Sequence, residues 1–384
     1  MYVLRQASHQ TISFMAGVYF HIPFCKRICA YCDFYRSAEL KYMDSVIEAM
    51  HSELEEQSKY LNDKQIRTIY FGGGTPSLLP PSELQHLIDH TAKLYDCSGV
   101  CEVTAEANPD DITAEYVKEL RHTNINRVSL GVQSFDDKEL RFMNRRHTAA
   151  EAEAAVSRLR SAGYDNISID IIFGVAGFGD DHLLSSLRRA VALNVEHISA
   201  YHLTVEERTR LGIMTQRGEY LPVGEEQSER EYLLVERVLA EAGYEHYEVS
   251  NYALEGCRAK HNSAYWAGVE YLGIGPGAHS FSGDDRTWCA STAKEYAEGN
   301  LRFEGERLSA IDHLNEYVMT SLRRVEGIDL AYIADHYGEA QRSRIEQEAR
   351  AWVDSGVLIL SDDTVAIPTS RFMLSDAVIE SLFA

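Results

Sequence analysis

A chain of 384 residues, 45% of them hydrophobic, has material for one large barrel and an appended domain. Its formal net charge of −22 argues against a general nucleic-acid binder, which must neutralise phosphates, and against adsorption to anionic lipid. No apolar run approaches the roughly 20 residues that span a bilayer. Met1 to Ala16 lacks a basic region followed by an apolar one, so we expect a cytoplasmic chain whose seven cysteines are thiols or ligands.

Val18 to Ile22 reads as a short strand with a cysteine-rich loop at its C-terminal end. Glu39 to Lys59 reads as an amphipathic helix, with Tyr42, Val46, Met50 and Leu54 near one face. Ile66 to Phe71 is the next strand and runs into Gly72-Gly73-Gly74-Thr75-Pro76. Helices over 81–94, 113–121, 148–162 and 182–193 then alternate with strands over 102–107, 127–132, 166–173 and 197–204. Six such alternations predict α/β architecture, a partial (β/α)6 barrel of parallel strands over 17–207, after a lead-in over 1–16. Each polar or glycine-rich motif falls at the C-terminal end of a strand, where βα barrels carry their chemistry.

Beyond 208 the pattern is less regular. A helix over 229–242, a strand over 247–252 and a glycine-rich stretch over 271–280 are expected within an extension, 208–308, that covers the barrel. Helices over 309–323, 329–336 and 340–355 precede a hairpin, 357–360 with 364–367. They predict a C-terminal α+β winged-helix-like module over 309–384. It is not notably basic, so a lid or docking domain is expected rather than a DNA reader.

Cys25, Cys29 and Cys32 stand at Cys-x-x-x-Cys-x-x-Cys spacing. A loop that compact can point three thiolates at one small object. Spacing alone leaves an iron–sulfur cluster and a zinc site about equally open. The glycines at 72–74 let a ligand touch backbone groups with no Cβ in the way. Glu106 ends a strand, and its carboxylate can accept two hydrogen bonds from ribose hydroxyls. The Gln133 amide can both donate and accept. Arg145 can pair bidentately with a carboxylate. Asp170 lies in an apolar run, where an unpaired charge is costly. Taken singly, each of these residues reads more readily as structural.

Cys25, Cys29, Tyr31 and Cys32 resemble the signature of the radical S-adenosylmethionine (SAM) superfamily. His21-Ile22-Pro23-Phe24 narrows the resemblance to the coproporphyrinogen III dehydrogenases and their relatives, the radical-SAM haem chaperones. The resemblance implies a radical-SAM barrel with a 4Fe-4S cluster on Cys25, Cys29 and Cys32. It implies SAM chelated at the open iron, and one-electron cleavage of its sulfonium to a 5'-deoxyadenosyl radical. It also implies SAM contacts at Tyr19, Tyr31, Gly73, Gly74, Thr75, Glu106, Gln133, Arg145 and Asp170. Arg146 competes for the arginine role, and only spacing from Gln133 favours Arg145. One departure is Gly174-Val175-Ala176-Gly177-Phe178, where the family usually carries a Gly-Leu-Pro-Gly-Gln-type turn. Without proline that loop is expected to be less rigid.

Two branches share this core. The dehydrogenases typically carry a fourth cysteine two positions after the third, where Phe34 stands here, and a longer N-terminal extension. Phe34 in that place and Cys25 near the start of the chain resemble the chaperone branch instead, as does His261-Asn262-Ser263-Ala264-Tyr265-Trp266. An imidazole can ligate haem iron, so His261 is a candidate haem ligand, with capping or packing as its alternative role. His279 and Cys257 are weaker candidates. The resemblance therefore implies a chaperone that holds haem as cargo and passes it to apo-haemoproteins, respiratory ones among them. A homodimer is compatible with it, and the electron donor is not legible. The alternatives are an active coproporphyrinogen III dehydrogenase and a radical-SAM enzyme acting on another substrate.

Overall fold

The structure, a computed structural model, describes residues 16–384. The expected lead-in therefore lies, apart from Ala16, outside the described residues. Six strands form the parallel barrel: β1 (Ala16–Ile22), β2 (Ile66–Gly73), β3 (Glu102–Ala107), β4 (Arg127–Gln133), β5 (Ile167–Phe173) and β6 (His197–His202). Between them run α1 (Met43–Glu56), α2 (Pro81–Leu94), α3 (Ala114–Leu120), α4 (Asp137–Phe142), α5 (Ala149–Ser161) and α6 (Asp180–Ala192). Thr148 and Glu151 cap α5 reciprocally, a motif in which the cap alone contributes about 1 kcal/mol. Helix α4 was not expected from the sequence; at six residues it is too short to show a period.

Side chains alternate across each strand, and here the two faces differ in chemistry. Val18, Phe20, Ile69, Phe71, Val103, Val128, Leu130, Ile167, Ile169 and Ile198 are buried in the main core. The opposite face is polar and in register from strand to strand. Tyr19 lies beside Tyr70, Thr68 beside Glu102, Thr104 beside Arg127, Glu106 beside Ser129, Ser168 beside His197, and Asp170 beside Ser199. A one-residue slip in any strand would exchange the faces, so burial of the apolar face fixes the register.

The extension adds α7 (Arg210–Gln216), α8 (Glu225–Glu241), β7 (Glu245–Glu248), β8 (Asn251–Ala253), α9 (Lys260–Trp266), β9 (Tyr271–Ile274), β10 (His279–Phe281), β11 (Asp285–Cys289), α10 (Ala293–Ala297) and β12 (Phe303–Arg307). These strands widen the sheet at both edges. β9 joins β1 in parallel, followed by β10, β11 and β12 antiparallel, while β8 and β7 add antiparallel beyond β6. The strand expected over 247–252 is thus a hairpin turning at Val249 and Ser250. The glycine-rich stretch holds two strands, reversed through Gly275 and Gly277, both at positive φ.

The C-terminal module contains α11 (Ala310–Leu322), β13 (Ile328–Asp329), α12 (Leu330–Tyr337), α13 (Glu339–Asp354), β14 (Ile359–Ser361), β15 (Thr364–Ala366) and α14 (Ser375–Ser381). Its three strands form a separate small sheet, β13-β15-β14. It docks on the flank made by α8 and β7. Tyr232 donates to the Thr369 carbonyl at 2.5 Å, and Phe372 packs edge-on against His246. The described residues that line the main cavity all fall within 25–206, outside this module.

Candidate functional site

At the C-terminal ends of the barrel strands lies a cavity of about 560 Å³. It is lined by Cys25, Cys29 and Cys32, and by Tyr31, Gly73, Gly74, Thr75, Glu106, Gln133, Arg145 and Asp170. Of the expected SAM contacts only Tyr19 is outside this lining. Its ring packs against Tyr70 in the barrel interior, and its hydroxyl bonds His21 Nδ1 at 3.0 Å.

Several segments distant in sequence hold the cysteine loop in place. The Ala30 N–H donates to the Met143 carbonyl at 3.0 Å, and the Asn144 amide to the Ile28 carbonyl at 2.7 Å. The Leu211 N–H donates to the Ala30 carbonyl at 2.8 Å. The glycine loop runs directly behind, with the Gly74 N–H donating to the Ile22 carbonyl at 2.8 Å. A Cβ at Gly74 would fall 2.7–2.9 Å from backbone atoms of residues 22–24, so no side chain fits there. Gly73 takes φ +104° with its bare Cα against the His21 ring.

The three cysteines are free thiols, Cys25 buried and the others half-buried. Burial pushes the Cys25 and Cys32 thiols up, while the Arg36 guanidinium works the other way on both. Thr75 donates to Cys25 Sγ at 3.5 Å, and Arg145 Nη1 to Cys29 Sγ at 3.2 Å. Donors and cations aimed at sulfur are what a thiolate set needs to hold a metal centre. Among the described residues no three such side chains converge at the spacing of a single ion. Three cysteine sulfurs lining one cavity, with donors on Cys25 and Cys29, are a donor set that fits an iron–sulfur cluster.

The structure separates the two arginines. Arg146 is engaged by Asp110 at 2.9 Å and Asp111 at 3.1 Å. Arg145 faces the cysteines and also donates to Asn108 Oδ1 at 2.6 Å and to the Gly131 carbonyl. Burial works against the Arg145 charge, but Tyr31 and Cys29 beside it hold its pKa above the ordinary value. Gln133 sits at φ 69°, an uncommon conformation for a non-glycine residue, where β4 breaks register with β5.

Glu106 accepts from the Tyr70 hydroxyl at 2.7 Å. Burial raises its pKa to about 7, against the hydrogen bond from Tyr70. Burial likewise raises Asp170 to about 6, opposed first by the Arg127 charge. Asn108, Ser129, Asn144 and Tyr201 also line the cavity and were not singled out from sequence. For Asn108 a signal existed: it directly follows Glu106-Ala107 and precedes a proline that stops the strand.

The turn at 174–178 is held without proline. The Gly174 N–H donates to Glu231 at 2.7 Å, the Ala176 N–H to the Tyr220 hydroxyl at 3.1 Å, and Phe178 packs on Phe142. These contacts from α8 and its approach supply the restraint that sequence reading found missing.

His261 lies at the start of α9, whose first N–H groups are accepted by the buried Glu102 carboxylate at 2.9 Å. Its Nδ1 bonds Thr68 Oγ1 at 2.8 Å, and its ring stacks on Tyr70. Burial and then the Arg127 charge lower its pKa to about 4. His279 stacks on Trp288 at the far side of the widened sheet, and Cys257 is half-buried in a loop. None of the three lines the main cavity.

The radical SAM superfamily profile matches residues 19–190. The chain is 36% identical to "Heme chaperone HemW" of Mycobacterium tuberculosis over 95% of this chain and 94% of that protein. It is 32% identical to the protein of the same name from Bacillus subtilis, over 95% and 98%. Among solved structures, coproporphyrinogen III oxidase (HemN) from Escherichia coli superposes with a TM-score of 0.80 over 96% of this chain and 90% of that one. At 19% identity that likeness shows the fold alone.

Proposed function

Since the chain belongs to the HemW family of radical SAM proteins, we propose that it binds haem and delivers it to apo-haemoproteins, using a cluster-and-SAM site. Cys25, Cys29 and Cys32 would hold a 4Fe-4S cluster, which supplies one-electron reduction of a sulfonium when bound. Gly73, Gly74 and Thr75 offer backbone groups to the SAM amino end. Glu106 and Asp170 accept from its ribose hydroxyls. Arg145 steadies Cys29 and presents a charge to the SAM carboxylate. Tyr19 acts from behind this set, since its ring backs Tyr70, which orients Glu106.

The observation that supports this reading most is the convergence of three cysteines and all but one of the expected SAM contacts on one cavity, in a chain alike to haem chaperones over nearly its full length. Phe34 favours the chaperone over the dehydrogenase, because it stands where the dehydrogenase's additional cysteine is expected.

The test is anaerobic reconstitution with iron and sulfide, followed by haem titration with and without SAM. Stoichiometric haem uptake, transfer to an acceptor, and no conversion of coproporphyrinogen III is the expected result. Porphyrinogen turnover without stable haem binding would replace this reading by the dehydrogenase.

A further inference from the structure

The rim of the cavity differs from the rest of the molecule. The chain as a whole carries a net charge of −22, yet three guanidinium groups without a carboxylate ion pair among the described residues line this opening; Arg145 is taken up by Cys29, Asn108 and the Gly131 carbonyl, which leaves Arg27 and Arg36. Arg27 is exposed, and among the described residues it makes one long hydrogen bond, 3.4 Å, to the Arg145 carbonyl. Arg36 donates from Nη1 to the Phe34 carbonyl at 2.8 Å, while its Nε is buried with no partner. The other cations nearby are engaged: Lys26 by Asp111, and Arg146 by Asp110 and Asp111.

Between Arg27 and Arg36 in the same loop stands Phe34, 71% exposed and lining the same cavity. Tyr201, 41% exposed, lines the cavity from the end of β6, and Ile172 and Leu203 complete an apolar wall. An exposed phenylalanine is ordinary by itself. One that shares a cavity lining with two guanidiniums bonded only to carbonyls describes a ligand that is flat, apolar and doubly anionic. Haem meets that description, with an aromatic plane and two propionates on one edge.

We infer that the haem cargo docks at this rim, its plane against Phe34 and its propionates on Arg27 and Arg36. This rests on the haem-chaperone reading and adds the location of the cargo. The docked haem then sits over the opening of the SAM cavity, directly above the cysteine loop. That arrangement gives the cluster site a direct means of sensing cargo: haem covers the exit through which SAM leaves. It also gives Phe34 a role that a cysteine at that position could not fill.

The test uses the full chain, reconstituted with its cluster, in wild-type form and as Arg27→Gln, Phe34→Ala and the double variant Arg27→Gln/Arg36→Gln. Haem binding is followed by Soret titration, and SAM binding and cluster absorbance are measured in parallel. The double variant is expected to bind haem at least about tenfold more weakly, as loss of two charge-assisted contacts implies. Phe34→Ala is expected to weaken haem several-fold with cluster absorbance unchanged. Saturating haem is expected to slow SAM release from the wild-type protein and not from Phe34→Ala. Arg36 also acts on the Cys25 and Cys32 thiols, so the two single variants carry the test if the double variant loses its cluster.

Wild-type haem uptake with unchanged affinity in all variants would overturn this site and leave the chaperone reading standing. No haem uptake by the wild-type protein would overturn both. Unchanged haem affinity combined with slower cluster reduction by an acidic electron-carrier protein would reassign the rim to that carrier.

Discussion

Glu106 and Asp170 show how burial sets the working conditions of a binding site. Their carboxyls are pushed up to about 7 and about 6 by loss of water, against the Tyr70 hydrogen bond in one case and the Arg127 charge in the other. Ribose hydroxyls donate best to an ionised carboxylate, so if these two carboxyls hold SAM as proposed, their protonation competes with it. Affinity for SAM is expected to be flat above pH 8 and to fall as pH drops through 7, by up to about tenfold per pH unit per group. Calorimetric titration of the cluster-loaded protein from pH 5.5 to 8.5 measures this. Glu106→Gln should remove the upper step of that profile. At the cysteines, Cys25→Ser is expected to abolish cluster absorbance on reconstitution; a full cluster spectrum in that variant would exclude Cys25 as a ligand.

Among the elements, α9 shows most directly how one side chain organises a motif. It has no side-chain N-cap of its own, and the His261 motif begins at its first turn. Glu102, buried on β3, accepts from both the Lys260 and His261 N–H groups. This places a negative charge at a helix N-terminus and satisfies two donors at once. Glu102→Ala is expected to destabilise the fold by about 2–4 kcal/mol, since two N–H groups lose a charged acceptor. A lowered melting temperature, together with faster amide exchange at residues 260–262, would identify the cap as the cause. Unchanged exchange there would exclude it. The same element explains why sequence spacing offered His261 as a haem ligand while the structure turns its Nδ1 toward Thr68.

For the whole molecule, buried ionisable groups oppose one another across the pH scale. Glu53, Glu106, Glu139 and Glu248 are raised to about 7 by burial. Their stabilising share is complete below the unfolded value near 4.5 and is lost as pH rises through 7. His21, His147, His246 and His261 are lowered to about 4, again chiefly by burial. Their share is complete above the unfolded value near 6.5 and is lost as pH falls toward 4. The two sets together place the stability maximum of the cluster-free protein between about pH 5 and 6.5. Thermal melting across pH 4–9 tests this, and a maximum above pH 7.5 would show that other groups dominate.

The sequence by itself determined the six parallel βα units, the placement of the cysteine loop and Gly72–Gly74 at strand ends, and the family. Those features are local: side-chain alternation of period two, helical periodicity, turn chemistry and the spacing of three sulfurs all act over a few residues. Tertiary structure alone decided what depends on distant partners. β9 pairs with β1 and β8 with β6, so the extension widens the sheet, and nothing within 208–308 announces which strand it will meet. Arg145 rather than Arg146 faces Cys29 because Asp110 and Asp111 take the other guanidinium. The turn at 174–178 owes its restraint to Glu231 and Tyr220. The shifted carboxylates and the unpaired cations at the rim follow the same rule. Burial and charge pairing are properties of the folded surroundings, and they arise only when segments far apart in the chain close around one cavity.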